Sequence, residues 1–131
     1  PSIVLAILSR EHRPDAEIHM FESDERKSVF LLTAIRELRL RATVHTARIE
    51  AVEAFPADLI TARALAPVNR LLALASPFCH AGTHLLFLKG ARLESELTVA
   101  RRDWHIEAKQ APSHTDTDGR VLWIRKFRKT E

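Results

Sequence analysis

The sequence predicts an α/β domain with a mainly parallel sheet, on three observations. Short apolar segments alternate with longer segments of helical period; Pro14, Pro56, Pro67, Gly82 and Gly90 punctuate the joints; and the last two apolar segments flank a polar loop that ends in Asp118-Gly119. At 131 residues the chain is one domain, long enough to bury a core. Its 46% apolar and 28% charged residues are ordinary globular values and indicate no disordered tract.

The elements follow in order. Ile3 to Leu8, with Pro1 at its head, reads as the first turns of a buried helix. His12 to Asp15 is a turn around Pro14, and Glu17 to Phe21 a short strand. Ser23 or Asp24 caps the next helix, whose buried stripe is Val29, Leu32 and Ile35 with Leu31 and Leu38. Ala42 to Thr46 is a strand, and Arg48 to Phe55 a short helix or turn. After Pro56 the segment "ADLITARA" holds a strand centred on Leu59 and Ile60. Pro67 opens a leucine-rich helix from Val68 to Ser76. "GTHLLFLKG" is a strand bracketed by Gly82 and Gly90, and Leu93 to Arg102 is helical. Trp104 to Ala108 and Val121 to Phe127 are the final strands, joined through "APSHTDTDG".

Charge and composition exclude several classes. The longest stretch without Asp, Glu, Lys or Arg, residues 71–88, is broken by Pro77, His80, Gly82 and His84. It lacks the roughly 20 continuous apolar residues of a membrane span, so no membrane partner is expected. A single Cys79 forms no internal disulfide, and no signal peptide is visible, which makes a reducing cytoplasm the default compartment. The net charge of +3 is unevenly placed: residues 120–131 hold +4 through Arg120, Arg125, Lys126, Arg128 and Lys129 against Glu131. Such a segment suits a phosphate backbone, or equally a solvated strand end with gatekeeper charges. Cys79, His80 and His84 are interrupted by Gly82 and have no fourth ligand at suitable spacing, so no metal is expected. Trp104 and Trp123 read as packing residues, with base stacking as the alternative for either.

Ligands of parallel sheets sit outside the carboxyl ends of the strands, so the strand exits are where function is sought. Three such exits, at Glu22, at Ala47 to Glu50 and at Thr61 to Arg63, are expected to share one crevice. Glu22 stands where an apolar strand stops and a helix begins. A carboxylate there either accepts from a ribose diol or offers charge to the helix N-terminus, the latter worth roughly 0.3 to 1 kcal/mol. Glu50 beside Ile49 can accept from an adenine amino group while the isoleucine covers the ring; the bland alternative is a surface helix start. Arg63 lies among small and apolar neighbours, where a buried guanidinium needs acceptors, either in a site or in a structural ion pair.

The blocks "FESDERKSVFLLTAIRELRL", "ARIEAV", "TARALAPVNRLL" and "LFLKGARLESEL" resemble, in order and at compatible spacing, the RsmG (GidB) family. These are bacterial methyltransferases acting on a guanine N7 in small-subunit ribosomal RNA. The resemblance runs from Pro1 to about residue 127, and its most specific parts are the pairs Arg63-Ala64 and Lys89-Gly90. It implies a Rossmann-like fold with a C-terminal antiparallel strand pair, S-adenosyl-L-methionine as cofactor, and ribosomal RNA or the small ribosomal subunit as partner. By the same resemblance Glu22 is the ribose-binding acid, Ile49 and Glu50 the adenine-side pair, and Arg63 the cofactor-site arginine. Lys89 matches a strand-end lysine with a substrate or structural role.

In that family a strand and a glycine-rich loop precede the segment that begins here at "PSIVLAIL". The three glycines of this chain, Gly82, Gly90 and Gly119, form no G-x-G arrangement. The chain is therefore expected to be a fragment, a single partial methyltransferase domain over residues 1–131, without activity unaided. Guanine N7 carries a lone pair and a sulfonium is an activated methyl donor, so the chemistry needs alignment and no general base. Two other readings stand beside this one: a non-catalytic α/β module that binds nucleic acid through its basic segment, and a methyltransferase with another substrate.

Overall fold

The computed structural model describes residues 2–63 and 65–131; Pro1, expected to head the first helix, and Ala64, of the Arg63-Ala64 pair, lie outside the described residues. The chain divides into two compact units, Pro1–Glu53 and Ala54–Glu131.

The first unit runs helix α1 (Ser2–His12), strand β1 (Ile18–Phe21), helix α2 (Glu25–Leu38), strand β2 (Ala42–His45) and a 3-10 turn, Ile49–Ala51. β1 and β2 are parallel, from Ile18 opposite Ala42 to Phe21 opposite His45, and α2 is their crossover. Asp24 is the cap that starts α2: its Oδ1 accepts from the backbone N–H of Arg26 at 2.9 Å and of Lys27 at 3.2 Å. The helix ends where Arg39 turns left-handed, at φ 53°. The Arg39 N–H then donates to the Arg36 carbonyl and the Leu40 N–H to that of Ile35, which satisfies the last carbonyls and turns Leu40 inward. Ala6, Met20 and Leu40 form a small core, with Ile3, Ile7, Ile18, Leu31, Ile35 and Val44 packed on it.

The expected stripe of α2 is only half right. Leu31 and Ile35 do pack inward, but Val29 is 61% exposed, and Leu32 and Leu38 are exposed too. The inward row is Ser28, Leu31 and Ile35, spaced at three and four residues, and the buried Ser28 made it invisible to an apolar count. α1 is likewise buried only at Ala6, with Val4 and Leu8 exposed.

The second unit runs β3 (Ala57–Arg63), α3 (Val68–Ala75), β4 (Cys79–Lys89), α4 (Leu93–Asp103), β5 (Trp104–Pro112) and β6 (Arg120–Lys129). The sheet order is β3-β4-β6-β5, with β3 and β4 parallel and β6 antiparallel to both its neighbours. Leu71, Leu72 and Ala75 of α3 and Leu93, Leu97 and Ala100 of α4 share one core with Leu85, Phe87, Leu122 and Ile124 of the sheet. Trp104 joins that core and its Nε1 donates to Asn69 Oδ1 at 3.0 Å, so it is a packing residue with its polar edge satisfied.

Two strand limits differ from expectation. Gly82 lies inside β4, which begins at Cys79. The pairing jumps from Ala57–Cys79 to Leu59–His84, and the extra β4 residues bulge around Gly82. Thr83 stitches the bulge, donating to the Ala57 carbonyl at 2.6 Å and accepting from the His80 N–H at 2.8 Å. β5 continues past Ala108 to Pro112, because backbone pairing with β6 persists as far as Arg120 after the apolar alternation has ended. Gly119 closes that hairpin where an added Cβ would lie 2.8 Å from Ser113 Cβ.

Candidate functional site

Each unit presents its candidates at the carboxyl ends of its own parallel pair. In the first unit the Glu22 N–H donates to the His45 carbonyl at 3.0 Å, which extends the β1–β2 pairing by one step. The Ser28 hydroxyl donates to the Glu22 carbonyl at 3.3 Å. The Glu22 backbone is thus tied to its neighbouring strand and to the first turn of α2, while the carboxylate of this half-buried residue has no partner among the described residues. The helix N-terminus does not use it, since Asp24 supplies that cap. Ile49, half-buried, and Glu50, exposed, open the 3-10 turn that follows β2. Just inside the same strand ends, the His45 ring stacks on Phe21 at 4.8 Å and its Nε2 lies 3.0 Å from His19 Nδ1.

In the second unit Arg63 ends β3 opposite Leu88, one residue before Lys89 ends β4. The arginine is exposed, and its guanidinium has no hydrogen-bond or ion-pair partner among the described residues. The expected buried guanidinium is therefore not found: Arg63 stands at the surface of its unit, and its burial supports neither alternative. Lys89 is the opposite case: its side chain is 9% exposed, and Nζ lies 2.7 Å from Glu96 Oε1 and donates to the Ala66 carbonyl at 3.0 Å. Glu96 Oε1 also accepts from the Val68 N–H at 3.0 Å, capping α3, whose own N-cap residue Pro67 offers no side-chain cap.

Beyond the carboxyl end of β4 lies a hollow of about 200 Å³, lined by Gly90, Glu94, Gln110, Asp118 and Arg120 among others. Arg120 donates to the Thr117 carbonyl at 3.3 Å and to that of Gly119 at 2.8 Å, and Gln110 donates to Glu94 at 2.9 Å. Its lining comes from segments distant in sequence, so no local pattern could have announced it; nor could one have pointed to Ser28 or Glu96.

The basic segment is strand β6. It lies between β4 and β5, but its ladder with β4 stops at Ile124, so Arg125, Lys126, Arg128 and Lys129 occupy a strand end flanked by β5 alone, which leaves the phosphate and gatekeeper readings both open. Arg125 and, from β5, Lys109 lie 5.6 and 5.9 Å from the ring centre of Trp123, whose Nε1 donates to His84 Nδ1 at 2.9 Å. His80 pairs with Asp58 at 2.8 Å, and among the described residues no group of three His, Cys, Asp or Glu is arranged to hold a metal ion. Burial pushes the Cys79 thiol above its ordinary value. No helix of the described residues is long and apolar enough to cross a membrane.

Comparison with known proteins gives this geometry its setting. Residues 1–121 match the family model described as GidB, rRNA small subunit methyltransferase G. A protein named ribosomal RNA small subunit methyltransferase G from Parvibaculum lavamentivorans is 47% identical over 127 residues, covering 95% of this chain and 56% of the relative. Its namesake from Dinoroseobacter shibae is 43% identical, covering 97% of this chain and 65% of the relative. The chain thus spans under two thirds of the length of these relatives. Among solved structures, ribosomal protein L11 methylase from Lactobacillus delbrueckii superposes with a TM-score of 0.71 at 14% identity, covering 94% of this chain and 64% of that one. An O-methyltransferase from Bacillus cereus in complex with SAH gives 0.62 at 16% identity, covering 85% and 63%. The fold is that of the Rossmann-like S-adenosylmethionine-dependent methyltransferases.

Proposed function

The chain belongs to the GidB family, rRNA small subunit methyltransferase G, and from that premise we propose that it forms part of an enzyme that methylates N7 of a guanine in 16S ribosomal RNA, with S-adenosyl-L-methionine as donor. The observation that carries the proposal is Glu22: a half-buried acidic residue past the end of a parallel strand, its backbone tied at both polar groups and its side chain without a partner among the described residues. An acceptor so held suits a ribose diol.

The other residues fit the same donor by their chemistry. Ile49 offers an apolar surface to an adenine, Glu50 an acceptor to its amino group, and the Arg63 guanidinium a cation with open donors. Arg63 acts by electrostatics and positioning, not as an acid or base. Lys89 has its ammonium committed to Glu96 and the Ala66 carbonyl, which favours the structural side of its two expected roles. None of Gly82, Gly90 and Gly119 lies in a G-x-G arrangement of the kind that lets a backbone approach a methionine moiety closely. The share of the relatives' length that this chain spans supports reading it as one partial methyltransferase domain.

When bound, the cofactor supplies a methyl group already activated on a sulfonium. That methyl would be open to the lone pair of guanine N7 without a general base, so the part left to Glu22, Ile49, Glu50 and Arg63 would be to hold and align the donor. A ribosomal substrate puts the enzyme in the cytoplasm. The test is methylation by the full-length gene product with labelled donor, offering small ribosomal subunits, free RNA and protein mixtures in parallel. The reading predicts label in 16S RNA, released on digestion as N7-methylguanosine. Label in protein, or at another atom, overturns it.

A further inference from the structure

Arg63 is exposed, yet the backbone that carries it is held at both ends. On one side the β3–β4 ladder fixes it opposite Leu88. On the other, three residues along, the Lys89 ammonium takes the Ala66 carbonyl at 3.0 Å. Lys89 is in turn fixed by Glu96 at 2.7 Å, and the same carboxylate oxygen takes the Val68 N–H at 3.0 Å. One acid on α4 therefore governs both the lysine that grips Ala66 and the first turn of α3. The pair is largely out of solvent, with side chains 9% and 17% exposed, where its attraction is screened less than at the surface.

We infer that Glu96 and Lys89 are positioning residues, a buried clamp that sets the path of the chain leaving β3 and so the direction from which Arg63 meets its ligand. The inference rests on the proposed function for the identity of that ligand. It assigns to Lys89 a role through Arg63 rather than contact with RNA. Glu96 touches no reacting group; its effect passes entirely through Lys89 and the Val68 N–H.

The experiment compares full-length wild type with Glu96→Gln and Lys89→Met. Each is titrated with S-adenosylhomocysteine and then assayed for KM of the methyl donor and of the RNA separately. The amide introduced by Glu96→Gln keeps an acceptor for the Val68 N–H but strands the lysine charge, so this variant tests the charge alone. Should Lys89→Met fail to fold, the double variant with Glu96→Gln replaces it, because no charge is then stranded. A displaced Arg63 predicts that both substitutions weaken S-adenosylhomocysteine about tenfold and raise donor KM alike, while RNA KM stays within about twofold. A rise in RNA KM with Lys89→Met alone makes the lysine a substrate contact and overturns the clamp. Equal S-adenosylhomocysteine affinity in all proteins also overturns it. Wild type that binds no S-adenosylhomocysteine overturns the functional reading itself.

Discussion

The two strand exits that carry the candidate residues are held in different ways. Past β1, Glu22 is fixed by a neutral hydroxyl from Ser28, six residues on, at 3.3 Å and by the neighbouring strand. Past β3, the chain after Arg63 is fixed by a charged pair from β4 and α4, reaching back 23 and 28 residues. The cores differ in the same sense. Among the described residues, three buried apolar side chains, Ala6, Met20 and Leu40, form the core cluster of the first unit, against a dozen in that of the second. The acid is held by two neutral bonds, from Ser28 close by and to His45 on the next strand, over a thin core, and the arginine's exit by a charged pair over a thick one. A change in α4 should therefore reach Arg63, whereas Glu22 answers to Ser28 and to β2.

The largest effect that sharpens this contrast is in the cores. Phe87→Ala, at a fully buried position, is expected to cost about 4 kcal/mol, and Met20→Ala about 2 to 3 kcal/mol because its surroundings are only partly closed. Urea unfolding measures both, and equal costs would erase the distinction between the cores. Next come the clamps. Glu96→Ala breaks a largely buried pair and uncaps α3, at about 3 kcal/mol, whereas Ser28→Ala loses one long neutral bond, at about 0.5 to 1 kcal/mol. The reverse order would refute the account of the two exits. Arg39→Gly relieves a non-glycine residue in the left-handed region and is expected to raise stability by about 0.5 to 1 kcal/mol, read as a higher urea midpoint.

The smallest effect concerns Cys79. Its folded thiol titrates above the ordinary 9.0 because burial disfavours the thiolate. Folding then binds the proton more tightly, so this contribution to stability is complete below 9.0 and is lost as pH rises through the folded value. Alkylation by iodoacetamide at pH 8.5 is expected to be slower than for the unfolded chain, and an equal rate would place the thiol in open solvent.

Local chemistry explains how much of this was legible in the sequence. A cap at Ser23 or Asp24, of which the structure uses Asp24, Pro67 ahead of α3 and the hairpin turn before β6 are written within a few residues, and all are readable. The inward row of α2 was misread because a serine occupies one of its positions. Gly82 reads as a boundary in the sequence because a bulge and a strand end both favour glycine. Glu22, Ile49, Glu50 and Arg63 could be named as strand-exit residues, but whether a side chain is spent on a structural bond is decided by residues far along the chain. Thus the exposure of Arg63, without a partner among the described residues, and the buried commitment of Lys89 to Glu96 were beyond the sequence.

The proposed function assigns Glu22 and Arg63 each a role in holding the adenosyl donor. Its most direct test is equilibrium titration of S-adenosylhomocysteine into the full-length protein and into its Glu22→Ala and Arg63→Ala variants. The account predicts that each variant binds at least about tenfold more weakly, about 1.4 kcal/mol, with the same urea midpoint as wild type. Wild-type affinity in both folded variants would contradict it.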